Sequence, residues 1–436
     1  MRGKHVLFDL PLPVGWTVRN VDSIRSPEQH SCVAGPFGSS ISSKYFVEEG
    51  VPVIRGSNLT DDLTRFVPSG FVFVSHEQAK KYKAQHVRAD DLVFTCWGTV
   101  GQVGLIPRGG PYPEYIISNK QLKLRPNNDV ADPEYLFYYF ASPQMVAHLR
   151  GRAIGAAVPG INLGILKALE VVLPPLDTQR RIASILSAYD NLIENNTRRI
   201  AILEEMARRI YEEWFVRFRF PGHDQVQKVA SELGLIPEGW RVGSLGEAAA
   251  INARSIRPAD APLEILYIDI ASVVPGAITQ KQPYRFSEAP GRARRVVGHG
   301  DVIWSCVRPN RRSYALILQP EPALIASTGF AVLSAKSVPY SYLYFAVTTD
   351  DFVGFLTNHA TGAAYPAVTA STFEAAPFLI PEEEVADQFH AVVAPMLDLS
   401  ETLKRKNANL RVTRDLLLPK LISGELDVST LSEPTV

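Results

Sequence analysis

Between Leu173 and Phe220 the apolar residues recur in alternating steps of four and three. One column runs through Ile182, Tyr189, Asn196, Leu203 and Ile210, and a second through Leu186, Ile193, Ile200, Ala207 and Trp214. Members of each column are seven residues apart, and charged residues fill the other faces. Two such columns over more than four heptads predict one long helix with a coiled-coil seam. Pro174-Pro175 block a helix entering from upstream, Asp177 or Thr178 offers an N-cap oxygen, and Pro221-Gly222 ends the segment. Roughly 40 residues at 1.5 Å each make a rod of about 60 Å. Asn196 is the polar member of the seam, and reads either as a solvated gap or as a register-setting pair with a partner helix.

A lone seam leaves its apolar stripe in water, so the rod needs a partner. The segment from Pro381 supplies one. Phe389, Met396, Leu403, Leu410 and Leu417 are again seven apart, with Val392 and Leu399 continuing a second column. Pro395 is expected to kink or restart this helix, because it removes an amide donor and crowds the preceding turn.

Outside the rods the pattern changes to short apolar runs between glycine- and proline-rich turns. Val51–Gly56, Leu92–Thr95 and Gln121–Arg125 read as strands, and so do Leu263–Ile270, Val302–Ser305 and Phe330–Ser334. One aromatic-rich helix is expected from Glu134 through Leu149 and another over Tyr340–Thr357. Their crowded aromatics are read as core rather than as base-stacking surfaces. The two globular stretches echo each other in order. Leu12-Pro-Val-Gly-Trp16 returns as Ile236-Pro-Glu-Gly-Trp240, and Asp91 before its strand and Cys96 returns as Asp301 and Cys306. Ala153-Ile-Gly-Ala-Ala-Val-Pro159 returns as Ala360-Thr-Gly-Ala-Ala-Tyr-Pro366. Globular segment, rod, globular segment, rod is the signature of an internal duplication.

Composition narrows the function classes. The chain has 436 residues, enough for two or three cores, and 45 basic residues against 45 acidic ones. No apolar run reaches the eighteen residues of a membrane span, and the N-terminal segment is too short and too interrupted for a signal peptide. Cys32, Cys96 and Cys306 have no CxxC spacing, which fits a reducing cytoplasm and no zinc site. Neither a phosphate-binding GxxxxGK[ST] loop nor a GxGxxG turn between strand and helix occurs. The Gly98-Thr-Val-Gly101 segment is read as a β-turn, the nine histidines do not cluster at ligand spacing, and no Asn/Asp-Pro-Pro-aromatic motif of an amino-methyltransferase is present. Nothing here is read as a catalytic residue or a metal site.

Basic residues do cluster locally. They are Lys80, Lys81, Lys83 and Arg88; Lys120, Lys123 and Arg125; Arg292, Arg294 and Arg295; and Arg308, Arg311 and Arg312. Each is by default a solvated face. The arginines flanking the strand from Asp301 to Cys306 lie among Gly, Pro and Asn, a setting suited to phosphate contact and to reading guanine edges. The amides of Ser118-Asn-Lys-Gln121 can pair with adenine.

These features together resemble the specificity subunit of type I restriction–modification systems. The residues that carry the resemblance are the paired Pro-x-Gly-Trp openings, Gly35-Pro-Phe-Gly-Ser39 and Gly50-Val-Pro-Val-Ile-Arg-Gly-Ser-Asn-Leu59. Asp91-Leu-Val-Phe-Thr95, Leu173-Pro-Pro-Leu-Asp-Thr-Gln-Arg-Arg-Ile182 and Leu418-Pro-Lys-Leu-Ile-Ser-Gly-Glu-Leu426 complete them. The second half departs from the pattern at Pro381–Gln388 and at Leu266–Ala271. The resemblance implies an α+β chain in which two mixed α/β target recognition domains are joined by two long helices forming an antiparallel coiled coil, with a pseudo-twofold repeat. It implies target recognition domains at 1–172 and 236–380, long helices at 173–220 and 381–426, a linker at 221–235 and a tail at 427–436. It also implies a non-catalytic cytoplasmic subunit, each domain reading half of a bipartite double-stranded DNA site. The coiled coil would set the spacing and dock two modification subunits, which carry S-adenosylmethionine, methylate adenine and bring restriction subunits; no membrane is involved. The candidate DNA contacts are then Arg55, Asn58, Lys120, Gln121, Arg292, Arg294, Arg295, Arg308, Arg311 and Arg312. A coiled-coil scaffold that binds proteins without sequence-specific DNA binding is the alternative.

Overall fold

In the computed structural model, which describes residues 4–38, 40–155 and 159–428, the first long helix spans Leu176–Tyr211 and passes into a wider π turn over Glu212–Val216. It starts earlier than the expected Asp177 or Thr178 cap, because the Pro175 carbonyl already accepts from the Gln179 amide at 3.0 Å. Gln179 is buried and fixes this start to the preceding domain. Its Nε2 donates to Pro174 O at 2.9 Å and Val130 O at 3.2 Å, while its Oε1 accepts from Asp132 N at 2.9 Å.

The second long helix is continuous over Glu383–Ser423. Pro395 therefore does not break it, contrary to expectation. Pro395 and Ala391, one turn before, both lie on the exposed face, where water can take the place of the missing amide. The second column also differs from the one expected. Val392 and Leu399 are 43% and 39% exposed, whereas Val393, Ser400, Asn407, Arg414 and Leu421 are buried, again seven apart. Three of these five are polar, so a search for apolar periodicity settles on the neighbouring residues.

The chain divides into two units with their boundaries inside the long helices. The first comprises residues up to Asn195 and from Asn407 on, the second Asn196–Lys406. In the first, the start of one long helix lies against the end of the other. Asn407 Nδ2 donates to Ile193 O at 3.2 Å, and Ile182 and Leu186 share a core with Leu418, Leu421 and Ile422. Arg414 and Asp190 form a buried ion pair at 2.5 Å, and Tyr138 Oη donates to the other Asp190 oxygen. In the second, Lys404 and Glu204 pair at 2.7 Å, and Ala207, Tyr211 and Phe215 pack with Phe389, Val393 and Leu397. The remaining first-helix column members Tyr189, Ile200, Leu203, Ile210 and Trp214 are half-buried, Asn196 is buried, and Met396, Leu410 and Leu417 are half-buried beside buried Leu403.

Each unit builds its globular part around two larger sheets, beside two-stranded ones such as Thr17–Asn20 with Glu170–Leu173 and Arg241–Ser244 with Pro377–Ile380. In the first, an antiparallel sheet has the order Cys32–Ala34, Gln121–Leu124, Leu92–Thr95, Val103–Leu105. A second sheet has the order Phe46–Val47, Val72–Val74, Val51–Ile54, Tyr115–Ile117, His86–Val87, with one parallel pair, Val51–Ile54 with Tyr115–Ile117. The second unit has Ala249–Ile251, Phe330–Ala335, Val302–Ser305, Tyr314–Leu316 in one sheet. Its other sheet runs Gln282–Arg285, Glu264–Ile268, Leu324–Ser327, Ala293–Val296, with the Glu264–Ile268 and Leu324–Ser327 pair parallel.

The aromatic helices are core, as their spacing implies. Tyr135, Phe137, Tyr138, Tyr139 and Phe140 are fully buried, and Tyr342 and Phe345 nearly so. Tyr135 Oη donates to Val172 O at 2.7 Å and Tyr342 Oη to Leu379 O at 2.6 Å, a matching use of the phenol in each unit. Neither helix is continuous. The first breaks into Pro133–Ala141 and Pro143–Arg152, because Pro143 cannot extend a helix and Ser142 Oγ caps the new one by accepting from Met145 N. The second breaks into Tyr340–Ala346 and Asp350–Asn358, with Thr349 as the new cap.

Candidate nucleic-acid interface

In the first unit three loop segments meet where the two sheets approach each other. The segment after Val51–Ile54 brings Arg55, Gly56 and Ser57, and that after Leu92–Thr95 brings Trp97, Gly98 and Thr99. The turn joining Tyr115–Ile117 to Gln121–Leu124 brings Ser118, Asn119, Lys120 and Gln121. Backbone hydrogen bonds lock them together: Ser118 N donates to Ile54 O at 3.1 Å and Cys96 N to Lys120 O at 2.8 Å. They line a cleft of about 510 Å³, with Ile41, Phe46 and Val53 as its apolar floor.

The chemistry of this cleft is one-sided. Arg55 and Lys120 are exposed at it, and no carboxylate is found among its described lining residues. Hydroxyls and amides supply the rest of its polarity. Thr99 Oγ1 donates to Gln102 Oε1 at 2.7 Å, and Ser118 Oγ to Gln121 Oε1. Gln121 is fully buried and its Nε2 has no protein partner. Trp97 is 43% exposed, and Gly160 is required beneath it, since a Cβ there would sit 2.3 Å from the indole. Two free cations and an aromatic face form a surface suited to a polyanion with flat bases, with the Gln121 amide buried beneath it.

Several expected cations are engaged elsewhere. Lys123 is buried, and its Nζ donates to Ala84 O and His86 O, each at 2.8 Å. Arg125 holds the buried Asp91 through two guanidinium nitrogens at 2.7 Å, and shares Glu28 with Arg88. Asn58, expected among the DNA contacts, is instead enclosed. Its Oδ1 accepts from Arg55 N at 2.9 Å, and its Nδ2 donates to Val67 O at 3.1 Å and Ser69 O at 2.9 Å. It shapes the loop that presents Arg55. Sequence reasoning passed over Trp97, although its position directly after a strand and before a left-handed glycine (φ +85°) signals a presented side chain.

In the second unit the corresponding strand ends carry arginine. Cys306 N donates to Gly329 O and Thr328 N to Arg292 O, each at 2.8 Å, which joins the Arg292 segment to the strand leading to Arg308. Arg292 and Arg311 are exposed. Arg308 and Arg312 flank the short turn Pro309–Arg311 with φ of +50° and +57°. Left-handed non-glycine residues cost about 1–3 kcal/mol each, and such strain concentrates where a side chain must be presented. The Arg308 guanidinium lies over the exposed Tyr365 ring at 4.9 Å, and Arg312 pairs with Asp350 at 2.5 Å. Arg294 lies over Phe286 at 5.1 Å. Arg295 is half-buried, with its Nε buried and unpartnered.

Nothing in these loops resembles a reaction centre. Burial pushes the Cys32, Cys96 and Cys306 thiols up to about 11, which keeps them protonated near neutral pH. Among the described residues no group of three or more His, Cys, Asp or Glu side chains is placed to hold a metal, and no helix is long and apolar enough to cross a membrane. Ser39, residues 156–158 of the Ala153–Pro159 motif and the tail beyond Val428 lie outside the described residues.

Comparison with known proteins shows what the chain is similar to. The sequence family described as "Type I restriction modification DNA specificity domain" matches residues 38–205. The type I restriction enzyme MjaIX specificity subunit of Methanocaldococcus jannaschii is 22% identical over 435 residues, 96% of this chain and 95% of that one. The MjaVIII specificity subunit of the same organism is 22% identical over 438 residues, covering 95% and 97%. Among solved structures, the S subunit of a type I restriction–modification system from M. genitalium superposes with a TM-score of 0.61 at 15% identity, over 95% of this chain and 98% of that one. At that identity the likeness speaks for the fold.

Proposed function

We propose that this chain, similar over nearly its whole length to type I restriction–modification specificity subunits, is itself such a subunit, and that each of its two units reads one half of a bipartite site in double-stranded DNA. The observation that carries this reading is the repeated loop cluster. Both units place the ends of the same two sheets together, and both present basic side chains there: Arg55 and Lys120 in one, Arg292, Arg308 and Arg311 in the other.

In this reading the exposed cations hold phosphates and fix register, which accounts for affinity and its salt dependence but not for sequence. Sequence is read by groups that bond base edges. The arginines around Pro309–Arg311 suit guanine in the second unit. The two long helices pair as an antiparallel coiled coil in a pseudo-twofold frame. They set the length of unread DNA between the half-sites and dock two modification subunits. Those subunits bind S-adenosylmethionine and methylate adenine, and restriction subunits join through them. The chain itself contributes recognition and no bond-making step.

The test is a genome-wide map of methylated adenines with this chain present and absent, beside unchanged modification subunits. The expected result is a motif of two short specified halves with a fixed gap, methylated only when the chain is present. A methylation pattern that does not depend on the chain, in a complex that still assembles around it, would support the protein-binding scaffold instead.

A further inference from the structure

One aromatic side chain of the first unit belongs to none of its cores. Phe37 is 97% exposed, although Pro36 before it is buried. The backbone around it is firmly held. Gly35 approaches the 118–121 turn so closely that a Cβ would fall 1.8 Å from Ser118 O, and its amide donates to Gln121 O at 2.8 Å. Beyond the ring, Asn119 Nδ2 donates to Gly38 O at 2.9 Å and Ser40 Oγ to Phe37 O at 2.6 Å. Gly38 reverses the chain with φ of +62°, and Ile41 then lines the cleft. A loop anchored on both sides to the turn carrying Asn119, Lys120 and Gln121 thus projects an apolar ring into water. An apolar ring in water is unfavourable, and the turn that anchors its loop also carries the exposed Lys120 of the cleft.

We propose that Phe37 is a DNA wedge. Its ring enters between two base pairs at the edge of the half-site read by the first unit and partly unstacks that step, while Arg55 and Lys120 hold the flanking phosphates. The inference rests on the DNA-recognition reading above and assigns a deforming residue to it. Stacking on the opened bases gives the ring the apolar contact it lacks in the free chain, and the kink wraps more DNA onto the cleft. Every base offers a flat face, so the wedge adds affinity and bending without changing the motif. The second unit has no aromatic in the segment after its matching strand, Asn252-Ala-Arg-Ser-Ile-Arg257, so the kink belongs to one half-site only.

The test uses the full chain assembled with its modification subunits, on duplexes carrying the mapped site with 2-aminopurine placed in turn at steps flanking each half. Wild type brightens the fluorophore at one step beside the first half-site and at none beside the second. Phe37→Ala loses that signal and weakens binding about tenfold, Phe37→Trp restores both, and both variants methylate the same motif as wild type. The ring is exposed, so the alanine variant folds. Undiminished brightening in Phe37→Ala, or affinity within about twofold of wild type, overturns the wedge and leaves DNA recognition standing. A variant that recovers fewer modification subunits, with unchanged DNA binding once assembled, also overturns it and makes Phe37 a protein contact. Failure of the wild-type complex to prefer the mapped site removes the recognition reading, and the wedge with it.

Discussion

Lys120 and Lys123 lie three residues apart in one basic run, yet only Lys120 is exposed. The strand that begins at Gln121 sends Lys123 inward, and burial lowers its ammonium to about 8. The sign of the consequence follows from linkage. Well below pH 8 both folded and unfolded chains carry the proton, and burying that charge opposes folding in full. Between about 8 and 10.5, the ordinary value, the unfolded chain holds more protons, so Lys123 makes the first unit more stable as pH rises. A ¹³C titration of Lys123 Cε should show a midpoint near 8. A midpoint near the ordinary value would place the ammonium in water and return Lys123 to the basic surface of its run. What the sequence conceals at this scale is direction. Asn58 and Arg55 stand in one motif, but a 3₁₀ turn over Gly56–Asn58 folds the amide back onto Arg55 N, Val67 O and Ser69 O. Phe37 was visible as a letter of Gly35–Ser39, whereas its exposure depends on the distant turn at Ser118.

At the scale of elements, the heptad pattern located both long helices, because seven-residue spacing is a property of the helix and needs no tertiary information. It misplaced one stripe of the second helix, whose buried column passes through Ser400, Asn407 and Arg414. Polar residues are admitted there because each is matched: Ser400 Oγ to Glu204 at 3.2 Å, Asn407 to Ile193 O, and Arg414 to Asp190. The last pair joins both long helices to the Pro133–Ala141 helix through Tyr138. Replacing one partner leaves the other buried and uncompensated. Asp190→Ala should therefore destabilise the first unit by about 3–5 kcal/mol, whereas Asp190→Leu with Arg414→Leu should recover much of that loss. Denaturant titration of the wild type and the two variants measures this. A loss below about 1 kcal/mol for Asp190→Ala would mean the pair behaves as a solvated one. The split aromatic helices show the opposite limit, since Ser142-Pro143 and Thr348-Thr349 are break and cap signals that the apolar run obscured.

For the whole molecule, the order of globular and helical segments and the likeness of the two halves were legible because short motifs keep their sequence spacing. The second sheets of the two units share the order of four strands with a parallel pair in the same place, and the first unit adds the edge strand Phe46–Val47. The contact residues were not legible to the same degree. They sit on loops after strand ends, where hydrogen bonds between distant segments, such as Cys96 to Lys120 and Cys306 to Gly329, decide which side chains face outward. The account's central claim is that the two units read DNA independently. It is tested most directly by exchanging residues 236–380 for the matching segment of a relative with a different target, and sequencing the methylated motif of the assembled complex. The account predicts that one half of the motif changes to the donor's bases while the other half stays as it was. A motif in which both halves change together, or neither does, would contradict it.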